Sequence, residues 1–243
     1  MCPPPPLSHH ISRQYDEELE DIRERVLSMG GLLESLLDKT IEVFASGNQE
    51  LATEVAESDY KVNAYEVSID EECTEILARR QPAASDLRLV LAITKTITDL
   101  ERIGDELEKI GRIMLRQIQA GVPRSRYIGL RGMASHVQRL LHDALDAFAR
   151  MDSRRALELI LEDEKIDQEQ DSILRQLITY MMEDPRCISE TLDVILAVRA
   201  LERIGDHAIN ICEYVVYLVE GKDIRHITRE QARQELEREG QGD

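Results

Sequence analysis

The sequence predicts an all-α protein built as two tandem homologous three-helix bundles, six long antiparallel helices in all. Three observations predict it. Apolar residues recur at helical spacing over long stretches punctuated by Gly and Pro. Hydrophobic residues make up 42% of the 243 residues but aromatics only 4%, so the core must be packed through Leu, Ile, Val and Ala, a composition that favours helices over sheets. Finally, the hexapeptide Leu-Glu-Arg-Ile-Gly-Asp occurs twice, at Leu100 to Asp105 and at Leu201 to Asp206, each time inside a long helical stretch.

The first helix is expected from Ile11, with Leu19, Ile22, Val26, Leu33, Leu36, Leu37, Ile41 and Phe44 on one stripe and Ser46-Gly47-Asn48 as the stop. The Gly30-Gly31 pair inside it reads as a kink. The second helix runs from Gln49 to Arg80, because Pro82 pushes Gln81 out of the helical region. The third begins at Ser85, a good N-cap with Arg88 where a capping box would have Glu, and ends at Gly121-Val122-Pro123. The second half repeats this plan, with helices at Arg124 to Met151, Ser153 to Glu183 and Ser189 to Glu220, and Gly221 as the final stop. The bundles are expected over 8–121 and 124–221. Flexible or polar termini at 1–7 and 222–243 carry a proline run, Pro3 to Pro6, and an Arg-, Glu- and Gln-rich tail.

Sliding one half over the other extends the match. Phe44-Ala45 falls on Phe148-Ala149, and Asp59, Lys61, Val62 and Asn63 fall on Asp163, Lys165, Ile166 and Asp167, at a shift of 104 positions. The hexapeptides match at a shift of 101, so the difference sits in the turn at Gln81-Pro82-Ala83-Ala84, where a duplicated three-helix unit tolerates it.

Charge narrows the function. A net charge of −18 is opposed to a nucleic-acid partner, whose affinity comes from Lys and Arg displacing counterions. The cysteines Cys2, Cys73, Cys187 and Cys212 form neither a CxxC pair nor a disulfide spacing, which points to the reducing cytoplasm. No stretch reaches the roughly 18 apolar residues of a membrane span, and the start lacks a signal-peptide pattern, so membrane contact is expected to be peripheral. The chain carries no P-loop, nucleophile elbow or dinucleotide fingerprint.

The candidate chemistry lies in the acids. Glu101 and Asp105, and again Glu202 and Asp206, stand four residues apart on one helical face, a like-charge arrangement that costs about 0.2–0.5 kcal/mol. A single such pair is ordinary surface charge, but its repetition at the same place in two halves suggests a cation between the acids. The apolar stripe Leu100, Ile103, Leu107 and Ile110 occupies one face of the third helix, and Thr94, Thr98, Glu101, Asp105 and Glu108 another. Further oxygens are available from Asp59, Asn63 and Glu66 on the second helix and from Asp163 and Asp167 on the fifth, if those helices face the acidic rows. All-oxygen sets suit hard or borderline cations, divalent or trivalent: iron, manganese, magnesium or calcium, with zinc a weaker match. The Glu-x-x-His pairs of a ferritin-like di-iron centre are missing. Arg102 and Arg203 could instead neutralise acids of neighbouring helices, Gly104 and Gly205 could simply allow close packing, and His207 points about 100° away from its row, toward the surface or a partner.

With Met29-Gly30-Gly31, the stretch Arg80 to Arg88, both hexapeptides, the stretch Leu145 to Asp152 and the stretch Thr179 to Asp184 laid out, the chain resembles the PhoU family of phosphate-transport accessory proteins over nearly its whole length. The resemblance implies two similar three-helix bundles with an E/DxxxD signature in each, at Glu101/Asp105 and Glu202/Asp206, associated with multinuclear metal clusters. It also implies a homodimeric, non-catalytic cytoplasmic adaptor that represses the phosphate-starvation regulon. Such an adaptor links the ATP-binding subunit of the phosphate transporter to a phosphate-sensing histidine kinase. The alternative from the residues alone is a metal-dependent hydrolase or oxidase built on the acidic rows.

Overall fold

A computed structural model of the chain describes residues 13–162, 164–224 and 231, without the side chains of 125, 164, 165 and 167. The proline run and nearly all of the polar tail lie outside the described residues, as does Asp163. All regular structure among the described residues is helical: α1 (Arg13–Ser46), α2 (Gln49–Ala56), α3 (Asp59–Arg80), α4 (Ala84–Gln119), α5 (Ile128–Arg150), α6 (Ser153–Glu162), α7 (Glu164–Glu183) and α8 (Ile188–Glu220). Single 3-10 turns, Arg124–Tyr127 and Pro185–Cys187, lead into α5 and α8.

The stops follow from local chemistry. Gly47 takes φ +66° to end α1, and the Asn48 side chain then accepts from the N–H groups of Glu50 and Leu51 to start α2. Gly221, at φ +73°, closes α8 by donating to the Tyr217 carbonyl. The start of α4 differs from expectation: its cap is Ala83, with no side-chain cap bond. The α1 helix runs through Gly30-Gly31 unbroken. Gly30 instead makes room for α5, because a Cβ there would lie 2.7 Å from the Leu145 methyls.

The largest departure is in the middle helix of the first half, which is in two pieces. Ser58 interrupts the expected Gln49-to-Arg80 helix: its Oγ donates to the Val55 carbonyl at 2.8 Å, taking an acceptor that the helical ladder would otherwise use. Asp59 thereby becomes the first residue of α3. In the second half α6 and α7 stand on either side of Asp163, which lies outside the described residues.

Within the first half α2 and α3 lie antiparallel to α4, in a register set by two glycines. A Cβ at Gly104 would stand 3.0 Å from Val62 Cγ1, and one at Gly111 only 2.6 Å from the Ala56 backbone nitrogen. Gly205 meets Ile166 in the second half as Gly104 meets Val62 in the first, with a Cβ-to-Cδ1 distance of 3.3 Å. The internal match read from the sequence is therefore a spatial one.

Two antiparallel seams join the halves. Along the first, α1 meets α5, with His142 Nδ1 2.7 Å from Glu34 and Gln138 donating to Asp38 at 2.6 Å. Along the second, α4 meets α8. Arg88 donates to the Leu218 carbonyl at 3.2 Å near one end, and Arg116 pairs with Asp193 at 3.0 Å near the other. One apolar cluster runs through both halves, and the matched phenylalanines Phe44 and Phe148 are both buried in it. Cys73, Cys187 and Cys212 are buried free thiols, and burial raises the Cys73 thiol to about 11.

The glycine contacts give a stability test. Gly111→Ala should destabilise the protein by roughly 2 kcal/mol, because backbone rather than a flexible side chain occupies the space. Gly31→Ala, with nothing within 4 Å of its Cβ, should stabilise it by about 0.5–1 kcal/mol through helix propensity alone. Denaturant melts of the two variants check the contrast, and equal shifts would remove the packing argument.

Candidate functional site

The α3–α4 register places acid against acid. Val62 sits in the gap left by Gly104, so Asp59, Asn63 and Glu66 on α3 come opposite Glu101, Asp105 and Glu108 on α4. Asp105 is within hydrogen-bonding reach of Asp59, which two ionised carboxylates cannot satisfy without a shared proton or cation. Asn63 Nδ2 donates to Asp59 Oδ2 at 2.7 Å and holds that carboxylate in place. The Thr94 and Thr98 hydroxyls on the same face donate back to the carbonyls of Val90 and Thr94 at 3.1 Å.

The electrostatics are those of a row short of positive charge. Burial, then the neighbouring Asp105, Glu66 and Asp59, push the Glu101 carboxyl above its ordinary range. Asp105 is raised by burial and then by Asp59, and Glu66 by burial and then by Asp70 and Asp105. Glu108 is raised chiefly by burial, against the lowering effect of Arg112. Among the described residues no three His, Cys, Asp or Glu side chains are gathered tightly enough to form a ready-made metal centre. The donor set nevertheless fits a hard cation. Asp59 Oδ1 and Asn63 Oδ1 are buried oxygens with no hydrogen-bond partner, and an oxygen-ligated ion would satisfy both.

In the second half Glu202 is half-buried and Asp206 exposed, on the α8 face next to Gly205. Their expected companions, Asp163 and the Asp167 side chain, lie outside the described residues. The match between rows also fades: Glu108 corresponds to Ile209 and Glu66 to Gln170.

His207 is mostly covered and does not stand at the surface. It reaches across to α4, where its Nδ1 lies 2.7 Å from Oδ1 of Asp99, a carboxylate that is 2% exposed. Asn210 donates to the same oxygen at 3.1 Å and Tyr214 Oη to Oδ2 at 2.7 Å. Burial alone would raise the Asp99 carboxyl, but the bonds from His207, Tyr214 and Asn210 together hold it below the usual carboxylate range. Beside this cluster, Arg203 donates to Glu106 on α4 at 2.9 Å, so this arginine does neutralise an acid of a neighbouring helix. Sequence reasoning did not single out Asp99 or Glu106. The only available signal was an acid falling near the apolar stripe of α4.

An all-α scaffold of two matched three-helix units, each presenting a Glu-x-x-x-Asp row on its last helix, defines the class of protein. The model of the PhoU domain matches the chain twice, at residues 26–114 and 130–215. The phosphate-specific transport system accessory protein PhoU homolog of Pseudomonas aeruginosa is 49% identical over 231 residues, covering 95% of this chain and 96% of the relative. PhoU of Escherichia coli K12 is 48% identical, covering 91% of each. The crystal structure of PhoU from Pseudomonas aeruginosa superposes with a TM-score of 0.82 over 86% of this chain and 100% of that one, at 49% identity. The phosphate transport system regulatory protein PhoU from Streptococcus pneumoniae superposes at 0.79, at 30% identity, over 86% of this chain and 99% of that one. The chain belongs to the PhoU family.

The raised carboxyls carry a signed pH dependence. Groups bound more tightly to protons in the folded state than in the unfolded one destabilise the fold as pH rises through their folded-state range. A Glu101→Gln, Asp105→Asn variant should therefore be more stable than the parent at neutral pH, by roughly 0.5 kcal/mol, with the gain shrinking as pH falls through the raised folded-state range and gone by about pH 4. Thermal melts in chelator across pH 3.5–8 check this range; a variant less stable than its parent at pH 7 would show that the acids do not repel.

Proposed function

We propose that the chain is a regulatory accessory protein of phosphate uptake that represses the phosphate-starvation response and acts by docking, without catalysis of its own. The observation that carries this reading is family membership over both halves: the PhoU domain matches twice, and relatives named as phosphate-specific transport system accessory proteins align along nearly the whole chain. The expected partners are the ATP-binding subunit of the phosphate transporter, a phosphate-sensing histidine kinase and a second copy of the chain, at the cytoplasmic face of the membrane. No helix among the described residues is long and apolar enough to cross a membrane, in keeping with peripheral contact.

The acidic rows are proposed to hold divalent or trivalent cations, with iron, manganese, magnesium or zinc as the candidates. Asp59, Asn63, Glu66, Glu101 and Asp105 would supply the oxygens in the first half, and Glu202 and Asp206, with Asp163 and Asp167, in the second. A bound cation would offset the mutual repulsion of Asp59, Glu101 and Asp105. The residues themselves fix the geometry: Asn63 orients Asp59, and the Gly104 contact keeps α3 against α4. Free phosphate is not the expected ligand of these rows, because like charge repels it.

Deletion of the gene in its host should release phosphate-scavenging genes in high phosphate, and the intact chain should restore repression. Continued repression after deletion would overturn the regulatory reading. Separately, Mn2+ titration calorimetry should show binding to the intact chain that is weakened at least about tenfold in the Glu101→Gln, Asp105→Asn variant, the loss expected when charged ligands go. Equal binding would remove the first cation site.

A further inference from the structure

Charge is unevenly spread over this chain. Between Glu108 and Asp143 there is no Asp or Glu, although 48 of the 243 residues are acidic, and the same stretch holds one lysine and six arginines. It comprises the end of α4, the Arg124–Tyr127 turn and most of α5. Part of this positive charge is answered within the fold. Lys109 pairs with Glu106, Arg112 with Glu108 and Arg116 with Asp193, and Arg139 acts against the burial that raises the Glu169 carboxyl.

Arg124, Arg126 and Arg131, which span the entry to α5, make no ion pair among the described residues. Arg126 Nη1 donates to the Thr191 hydroxyl at 3.4 Å and so ties the turn to the start of α8. It also helps to lower the Asp184 carboxyl, whose main partner is Arg186. The same end of the molecule carries the two most exposed large apolar side chains among the described residues, Met182 at 79% and Ile128 at 72%. Ile128 stands between Arg126 and Arg131, Met182 stands two residues before Asp184, and Ile188 and Leu192, on either side of Thr191, are exposed as well.

Arginine forks suit phosphate oxygens, and protruding aliphatic side chains suit the boundary between headgroups and acyl chains. The only aromatic ring of the acid-free stretch, Tyr127, is buried, so the arginines have no face on which bases could stack. We propose that this end of the molecule docks on the anionic surface of a lipid bilayer, with Arg124, Arg126 and Arg131 on headgroup phosphates and Ile128 and Met182 entering the layer beneath them. Repulsion between the bilayer and the acidic remainder of the chain would give the contact a single orientation. The proposal goes beyond the regulatory reading, which contact with membrane proteins alone would satisfy.

The test is cosedimentation of the full-length chain with phosphatidylcholine vesicles containing about 30% phosphatidylglycerol, in about 0.1 M salt, with circular dichroism and thermal melts to establish that each variant is folded. The intact chain should bind these vesicles, bind less as salt rises, and fail to bind pure phosphatidylcholine. Each arginine near an anionic surface strengthens binding about fivefold, so Arg124→Gln, Arg126→Gln, Arg131→Gln should weaken it at least about tenfold. Ile128→Gln, Met182→Gln should weaken it about fivefold. A control of equal charge at the other end of the helices, Arg79→Gln, Arg150→Gln, Arg154→Gln, removes exposed arginines and should change binding less than about twofold. Equal losses in the two arginine variants would mean that net charge governs binding, and an unweakened apolar variant would mean that nothing enters the layer. An intact chain that ignores anionic vesicles would mean that the arginines serve an acidic protein instead. Any of these three results overturns the proposal, and none of them touches the regulatory reading, which the gene deletion tests.

Discussion

The close approach of α3 to α4 is the constraint on which the first half depends. At Gly111 the α2 backbone comes nearer to α4 than any side chain would permit, and at Gly104 the Val62 side chain takes the place of a Cβ. These contacts settle how far α3 is shifted along α4, and the shift decides which acids meet. One helical turn of slippage would set Asp59 and Asn63 against a different part of α4, leaving the repulsion between Glu101 and Asp105 without its companions. The Ile-Gly step in the repeated hexapeptide and the acids beside it are thus parts of a single device, with the glycine setting the distance at which the acids can act.

The sequence revealed what repeats and what is periodic. Long amphipathic runs, the Gly47 and Gly221 stops, the buried Phe44 and Phe148, and the facing of Val62 and Ile166 toward the hexapeptide glycines all follow from spacing along one chain. Features that depend on individual side-chain contacts were hidden. Ser58 reads as an ordinary helical residue until its hydroxyl is seen to capture the Val55 carbonyl, and Gly30 reads as a weak point until Leu145 fills the space beside it. His207 could not be assigned, because its partner Asp99 lies 108 positions away and the pairing departs from the internal symmetry. The acids of the candidate site were legible on each helix separately. Their grouping required the α3–α4 register, and the second row could be followed only on its α8 side.

Symmetry between the halves is close in packing and loose in charge. The same glycine-against-branched-residue contact occurs in both, whereas Glu108 and Glu66 of the first row are matched by Ile209 and Gln170. Apolar packing restricts substitution in both copies alike, since a change in volume is felt wherever the core is full. Charge on a half-exposed row is under weaker steric control, so the halves can diverge there without altering the scaffold.

The α4–α8 seam bears on how the molecule can be dissected. Each of these helices belongs at once to its own three-helix unit and to the junction, and the junction contains a carboxylate, Asp99, whose donors all come from the opposite half. A fragment ending at the Gly121 turn would keep its helices and much of its apolar interior. It would also present a naked Asp99 amid a broad greasy face, a combination that invites misassociation. The duplication is still visible in the sequence, while a single apolar cluster now runs through both copies.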